Sequence, residues 1–170
     1  MSATISIKEV NGASTGTPTT VTAVRFCTDD LVNPTTTSPL VKPSAGSNYS
    51  YKKSTYLNAD TTPSGTINNV KWFTDGTIGW TGVTIQAGTA AAYAQATGTP
   101  NTTGTQMTAQ GSQADASTFT TGSPLAVTGT LSNPSTGKIS DHVVFQAVLS
   151  TSAVAGTLAS ETITWRYDES

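Results

Sequence analysis

The feature that most constrains this chain is its threonine content, because 35 of its 170 residues are threonine. Threonine branches at Cβ, which lowers helix propensity and suits the pleated, half-buried surface of a strand. Charged residues make up only 11% of the chain, so hydroxyl groups stand where most soluble domains carry charge. Such a composition suits either disorder or strands. The many β-branched residues and the alternating apolar segments favour strands.

Strands are marked by alternation of apolar and polar residues. In "ISDHVVFQAVLS" the alternation places Val143, Phe145, Ala147 and Leu149 on one face. About eight to ten such segments follow one another at roughly regular spacing, with turn residues between them. We therefore predict an all-β fold, an antiparallel β-sandwich of immunoglobulin-like or jelly-roll-like type. The length predicts a single domain over residues 1–170.

Several segments carry more local predictions. In "INNVKWFTDG", Val70 and Trp72 share one face, Phe73 takes the other, and Asp75-Gly76 marks a tight turn. "VTAVRFCT" and "PLAVTGTL" are each predicted to form one strand, and the lone cysteine in the first should be partly buried. "AAAYAQA" is the one segment that favours a helical turn. The last two strands, "ISDHVVFQAVLS" and "ETITWRYDE", should pair as an antiparallel hairpin.

Both ends of the chain are predicted to lie in sheets, because "ATISIKEV" and "ETITWRYDES" both alternate. A module with both ends stitched into sheets is expected to be complete as it stands. The three prolines Pro34, Pro39 and Pro43 interrupt the stretch around residues 30–47 and forbid a central strand there, so we predict an extended loop or arm. Residues 98–123 contain few large apolar side chains. They are expected to form a long polar loop or a pair of thin, exposed strands.

Residues able to perform catalysis are scarce. The only histidine, His142, follows Asp141, but adjacent residues of a strand point to opposite faces and do not orient each other. One histidine and one cysteine cannot complete a zinc site, and the aspartates lack the spacing of a calcium-binding EF-hand loop. Three glutamates, two of them near the C-terminus, do not suggest a glycosidase pair. We predict no enzyme, no metal site and no cofactor.

Charge and hydropathy exclude further classes. The net charge is −2 and the pI is about 5.1, so no basic face is available for nucleic acid. No stretch of 18 apolar residues occurs, which argues against a membrane span. The chain opens "MSATISIKEV", without the charged and apolar regions of a secretory signal, so we expect synthesis in the cytoplasm without export.

The strongest candidate for a binding residue is Trp80, which lies between glycines in "GTIGWTG". An exposed tryptophan could stack on a sugar ring or fill a partner's pocket. Alternatively, it folds back over the core as an ordinary loop residue. Tyr49, Tyr51 and Tyr93 could extend such a contact surface, although tyrosines on a sandwich face are common.

Taken together, the Thr/Ser/Gly/Ala-rich composition, the regular short strands and the close "ETITWRYDE" ending resemble the small virion structural proteins of tailed bacteriophages. Within that group the chain is most similar to capsid decoration, or cement, proteins. The resemblance covers the whole chain and implies a non-enzymatic protein of the virion that binds the outside of a capsid lattice and stabilises it. The implied partners are the major capsid protein and copies of the chain itself, in a homo-oligomer such as a trimer, with arms that reach over neighbouring subunits.

Two alternatives remain open at this point. A phage tail-tube or adaptor protein would also use a β-sandwich with long loops, but it would assemble into rings or stacks. A carbohydrate-binding module or adhesin would use Trp80 as its stacking platform.

Overall fold

The computed structural model describes residues 2–13, 17–32 and 37–170, and these form an almost entirely β structure. They contain fourteen strands and one short 3₁₀ helix, Ala116–Thr118. The strands are β1 (Ile5–Val10), β2 (Thr19–Thr20), β3 (Ser47–Tyr49), β4 (Lys53–Ala59), β5 (Thr66–Thr74), β6 (Val83–Ala90), β7 (Gly98–Thr99), β8 (Thr103–Gly104), β9 (Gly111–Asp115), β10 (Leu125–Ala126), β11 (Leu131–Ser132), β12 (Gly137–Lys138), β13 (His142–Ser150) and β14 (Ile163–Glu169).

Two antiparallel sheets make up the body of the molecule. The large sheet has the order β2-β1-β4-β13-β6-β9, with β12 beside β4 and β3 beside β13. The small sheet is centred on β5, which has β14 on one side and the short strands β10 and β11 on the other. β7 and β8 form a separate two-stranded ribbon. The prediction of an all-β, antiparallel, sandwich-like fold is confirmed.

The core lies between the two sheets. Trp72 of β5 is fully buried, and its ring lies 6.1 Å from that of Phe145 on β13. All four residues predicted to share a face of β13 belong to this core. Val70 is buried beside Trp72, whereas Phe73 is half-buried on the other face, as the alternation predicted. Burial of aromatic and aliphatic area on this scale is the main term that stabilises the sandwich.

The predicted hairpin between the last two strands is wrong. β13 lies between β4 and β6 in the large sheet, so both of its edges are already paired. The chain therefore crosses to the small sheet, where β14 pairs with β5 and Trp165 lies opposite Trp72. Proximity in sequence suggested a hairpin, but neither edge of β13 is free to pair with β14.

Three local predictions also need correction. Within "VTAVRFCT" the described chain forms no ladder; instead, the Phe26 ring packs edge-on against Phe145 at 5.7 Å, and Cys27 is buried without belonging to a strand. "AAAYAQA" forms no helix, because β6 ends in its first residue and the rest is a bend followed by irregular chain. "PLAVTGTL" contributes to two short strands, β10 and β11, rather than to one, and both pair with β5. Between them, Val127 N–H donates to Val70 C=O.

The centre of the outer face of the large sheet, along β13, is covered by the chain itself. Gln146 of β13 is fully buried, and its Nε2 donates to the carbonyls of Ser50 (2.7 Å) and Thr105 (2.8 Å). Its Oε1 accepts from Met107 N–H at 2.7 Å. These hydrogen bonds hold the segment after β8 against the outer face of β13, which is therefore buried on both faces. Within residues 98–123 the chain forms three short strands, β7, β8 and β9, rather than one pair, and β9 joins the large sheet.

Both ends of the chain lie in sheets, as predicted, and one carboxylate links them. Glu169 near the end of β14 accepts hydrogen bonds from the Ser2 hydroxyl, from Ala3 N–H and from Ser64 N–H (2.8 Å). These donors lower the pKa of Glu169 to about 2, because they stabilise its ionised form. The N-terminal segment and the C-terminal strand are therefore held together across the two sheets.

A fully buried ion pair lies at one end of the large sheet. Lys53 Nζ is 3.1 Å from Glu9 Oε1, and both side chains have no exposed surface. The ammonium also donates to the carbonyl of Leu31, which holds the start of the Pro-rich stretch against the sheet. The attraction of such a pair must offset the cost of removing both charges from water, so it depends on both partners.

Lys53→Met should destabilise the fold by about 3–5 kcal/mol, because it leaves the Glu9 carboxylate buried without its ammonium partner. Urea unfolding followed by circular dichroism measures this loss. The double variant Glu9→Leu/Lys53→Met removes both charges and should recover about half of it. Equal losses in the single and double variants would show that the ion pair does not govern the stability of this region.

Candidate functional site

Trp80 is half-buried rather than displayed on a loop tip. Its indole Nε1–H donates to the carbonyl of Ala159 at 2.7 Å, and its ring meets that of Phe26 edge-on at 6.3 Å. The side chain packs against the core cluster. The indole N–H and the ring contact with Phe26 therefore connect Trp80 to two other segments of the fold.

The three tyrosines are likewise used within the fold. Tyr51 is buried, and burial together with Asp29 and Asp30 raises its pKa. The Tyr93 hydroxyl donates to Gly12 C=O at 2.7 Å, and burial raises its pKa to about 12. Tyr49 is half-buried in β3. Its backbone N–H donates to the Thr103 hydroxyl, and its carbonyl accepts from the same hydroxyl.

The described part of the Pro-rich stretch is held against the body. Pro43 is buried, Pro39 is exposed, and Pro34 lies outside the described residues. Thr28 N–H donates to Ser38 C=O at 3.1 Å, which closes the base of the loop. Apart from Pro34, the predicted residues thus lie in several different loops and strands.

A surface that the sequence did not single out is the outer face of the small sheet. We define this open face by Lys71, Phe73, Thr164, Arg166 and Asp168, which alternate with core-facing residues on β5 and β14. The Arg166 guanidinium lies 5.8 Å from the centre of the Phe73 ring. Unlike the outer face of β13, this face keeps exposed or half-exposed side chains throughout. The alternation in "NNVKWF" is the sequence signal for this open face, because the strand neighbours of the core-facing Trp72 must face outward.

A hollow of about 450 Å³ adjoins the open face, where the end of β5, the turn before β10 and the start of β14 meet. Its lining consists of Phe73, Thr74, Asp75, Thr120, Thr121, Gly122, Thr162 and Thr164. Thr74 uses its hydroxyl inside the fold, donating to Ala116 C=O at 3.1 Å. The aromatic ring, the other hydroxyls and one carboxylate give the hollow the chemistry to receive a neutral, hydroxyl-bearing group.

The single histidine, His142, lies at the start of β13 and is buried. His142 Nδ1 lies 3.0 Å from the Ser54 hydroxyl, and the Tyr56 ring packs edge-on at 5.0 Å. Burial, with a smaller contribution from Lys138, lowers the pKa of His142 to about 4. The imidazole is therefore neutral near pH 7 and serves as a packed, hydrogen-bonded core group.

Among the described residues, no group of three or more His, Cys, Asp and Glu side chains is arranged to hold a metal ion. The same part of the chain contains no helix that is long and apolar enough to cross a membrane.

No protein-family model matches this chain, and no match is found among curated proteins or among solved structures.

Acidification should destabilise the protein through His142. Its folded-state pKa of about 4 lies below the ordinary 6.5, so between these values the unfolded chain binds a proton that the folded protein does not. From about pH 7 to about pH 5 we expect a loss of about 1–2 kcal/mol in the free energy of unfolding, measured by urea titration.

His142→Gln keeps hydrogen-bonding capacity but cannot titrate, so its stability should change little over the same interval. The loss associated with Glu169 falls at lower pH, between its ordinary pKa of 4.5 and about 2, so the two effects are separable. Identical pH profiles for the wild type and His142→Gln would rule out His142 as the cause.

Proposed function

We propose that this protein is a non-enzymatic structural protein of a virion, which binds the outside of a capsid lattice and stabilises it as a decoration protein. Its partners would be the major capsid protein and copies of itself. The observation that carries the proposal is the contrast between the two sheets: the chain covers the outer face of β13 at the centre of the large sheet, whereas it leaves the outer face of the small sheet open. A folded module with one open sheet face suits attachment to a lattice.

The chemistry of the open face supports this role. It combines three charged side chains with the Thr164 hydroxyl and the Phe73 ring, so it can make both charge-assisted hydrogen bonds and aromatic contacts with a partner. The Pro-rich loop adds apolar groups at its borders, since Leu31 is 47% exposed and Val41 is 44% exposed. Because its described part is bonded to the body, such a loop would lose little entropy on contacting a neighbouring subunit.

The proposal predicts that purified protein binds preformed capsids that lack it. Thr164→Glu places a longer, charged side chain at the centre of the open face and should weaken binding at least about tenfold, measured by co-sedimentation. Ser135→Glu is the matched control, because it adds the same charge at an exposed turn residue that is not part of the open face.

Equal binding by both variants would place the contact elsewhere, and absence of binding by the wild type would refute the decoration role. Rings or tubes formed by the protein alone, visible by electron microscopy, would favour the tail-tube or adaptor alternative instead.

A second candidate, carbohydrate binding, is favoured by the hollow beside Phe73 rather than by Trp80. A half-exposed ring can stack on the C–H face of a sugar, and nearby hydroxyls and a carboxylate can bond its hydroxyls. Asp75 is the only charged group in the lining, so a neutral sugar fits better than an anionic one.

If this second candidate is correct, methyl glycosides of glucose, galactose, mannose and N-acetylglucosamine at about 50 mM should shift backbone amide resonances around the hollow. Phe73→Ala should abolish the shifts, whereas Trp80→Phe should preserve them. Shifts centred on Trp80, or none with any glycoside, would exclude the hollow as a sugar site.

A further inference from the structure

β14 is an edge strand with a free side. It pairs with β5 along one edge, and the described ranges of the chain place no other strand beside it. Nor does any backbone hydrogen bond within those ranges use its far edge, since the one bonded pair beyond the strand, Thr66 with Ser170, also faces β5. An edge strand presents unpaired N–H and C=O groups that can accept another strand.

The backbone alternation shows which residues present those groups. Thr66 N–H donates to Ser170 C=O at 2.7 Å, and Ser170 N–H donates to Thr66 C=O at 3.1 Å, so the backbone of Ser170 faces β5. Along an antiparallel strand these groups alternate in direction. The register shifts between Arg166 and Asp168, but the extra residue lies on β5, so the alternation along β14 continues through it. Glu169, Tyr167 and Trp165 therefore direct their backbone N–H and C=O groups away from β5, towards the free edge.

The charged side chains indicate how a second copy of β14 would align with this free edge. Arg166 and Asp168 are both exposed and lie on the open face. If an identical strand pairs antiparallel with β14 about a two-fold axis at Tyr167, each Arg166 lies opposite Asp168 of the other copy. An axis at Arg166 would set two arginines opposite each other, and an axis at Asp168 would set two aspartates. Only the axis at Tyr167 combines opposite charges with the outward backbone groups.

We propose that two copies of this protein associate through antiparallel β14–β14 pairing about a two-fold axis at Tyr167. The two small sheets then form one continuous sheet, and the two open faces form one surface. Asp168 Oδ2 already accepts from Asn69 Nδ2 at 2.7 Å, which holds the carboxylate in place and leaves Oδ1 for Arg166 of the second copy. This contact goes beyond the proposed capsid role and requires no capsid.

Sedimentation equilibrium of the purified chain tests the pairing by charge reversal. The wild type should show a monomer–dimer equilibrium below about 1 mM, and Arg166→Asp and Asp168→Arg should each raise the dissociation constant at least about tenfold. The double variant Arg166→Asp/Asp168→Arg restores opposite charges across the axis, so its dissociation constant should return to within about threefold of the wild type. Circular dichroism checks that each variant is folded.

A second pair of variants tests the backbone contact without changing charge. Tyr167→Pro removes an N–H that points to the free edge, so the β5 ladder is kept while two central bonds across the axis are lost. Tyr167→Ala removes the same ring but keeps the N–H. The proline variant should dimerise at least about tenfold more weakly than the alanine variant.

A wild type that stays monomeric to about 1 mM would overturn the proposal, as would an oligomer indifferent to the single reversals and to Tyr167→Pro. Either result would leave the co-sedimentation with capsids unaffected, because that assay scores attachment through the open face. Conversely, a protein that dimerises as described but does not bind capsids would retain the β14 contact and lose the decoration role.

Discussion

The structure depends on the burial of β13 on both faces. On its inner face Phe145 packs against Trp72 and Phe26, which joins the two sheets and the loop that covers them. On its outer face Gln146 and His142 are buried as well, and a buried polar side chain is tolerated only when it is hydrogen-bonded. Gln146 meets that requirement by bonding three backbone groups of two other segments. The central strand therefore orders the chain on both sides of itself.

This arrangement also buries many of the ionisable and nucleophilic side chains. The histidine, the cysteine, one lysine and one glutamate are all buried in structural roles. Trp80, Tyr51 and Tyr93 hold loops, so the aromatic residues that first suggested binding are engaged within the fold. Among the described residues, the open face of the small sheet and the free edge of β14 are two adjacent surfaces that the fold leaves accessible. To these we assign the proposed lattice attachment and the proposed self-association, respectively.

Local alternation allowed much of the architecture to be predicted. The strand character of β1, β5, β13 and β14 followed from it, as did the inward direction of Trp72 and the outward direction of Phe73. Alternation reports only which face a residue takes within its own strand. It could not reveal that β14 leaves β13 for β5, because that choice depends on which strand edges are still free when the sheets assemble. The candidate site was missed for the same reason, since it combines β5, β14 and a distant turn.

By itself, therefore, the sequence determined that the chain is all β, where most of the long strands lie and that few catalytic groups exist. Threonine content and the two-residue period are properties of single segments, so they can be recognised in the sequence without knowing which strands pair. Only the tertiary structure decided which sheet each strand joins, that the single histidine and the Glu9–Lys53 pair are buried, and which face stays open. Those outcomes depend on contacts between residues far apart in the chain, and the balance of burial and hydrogen bonding that selects them exists only in the assembled fold.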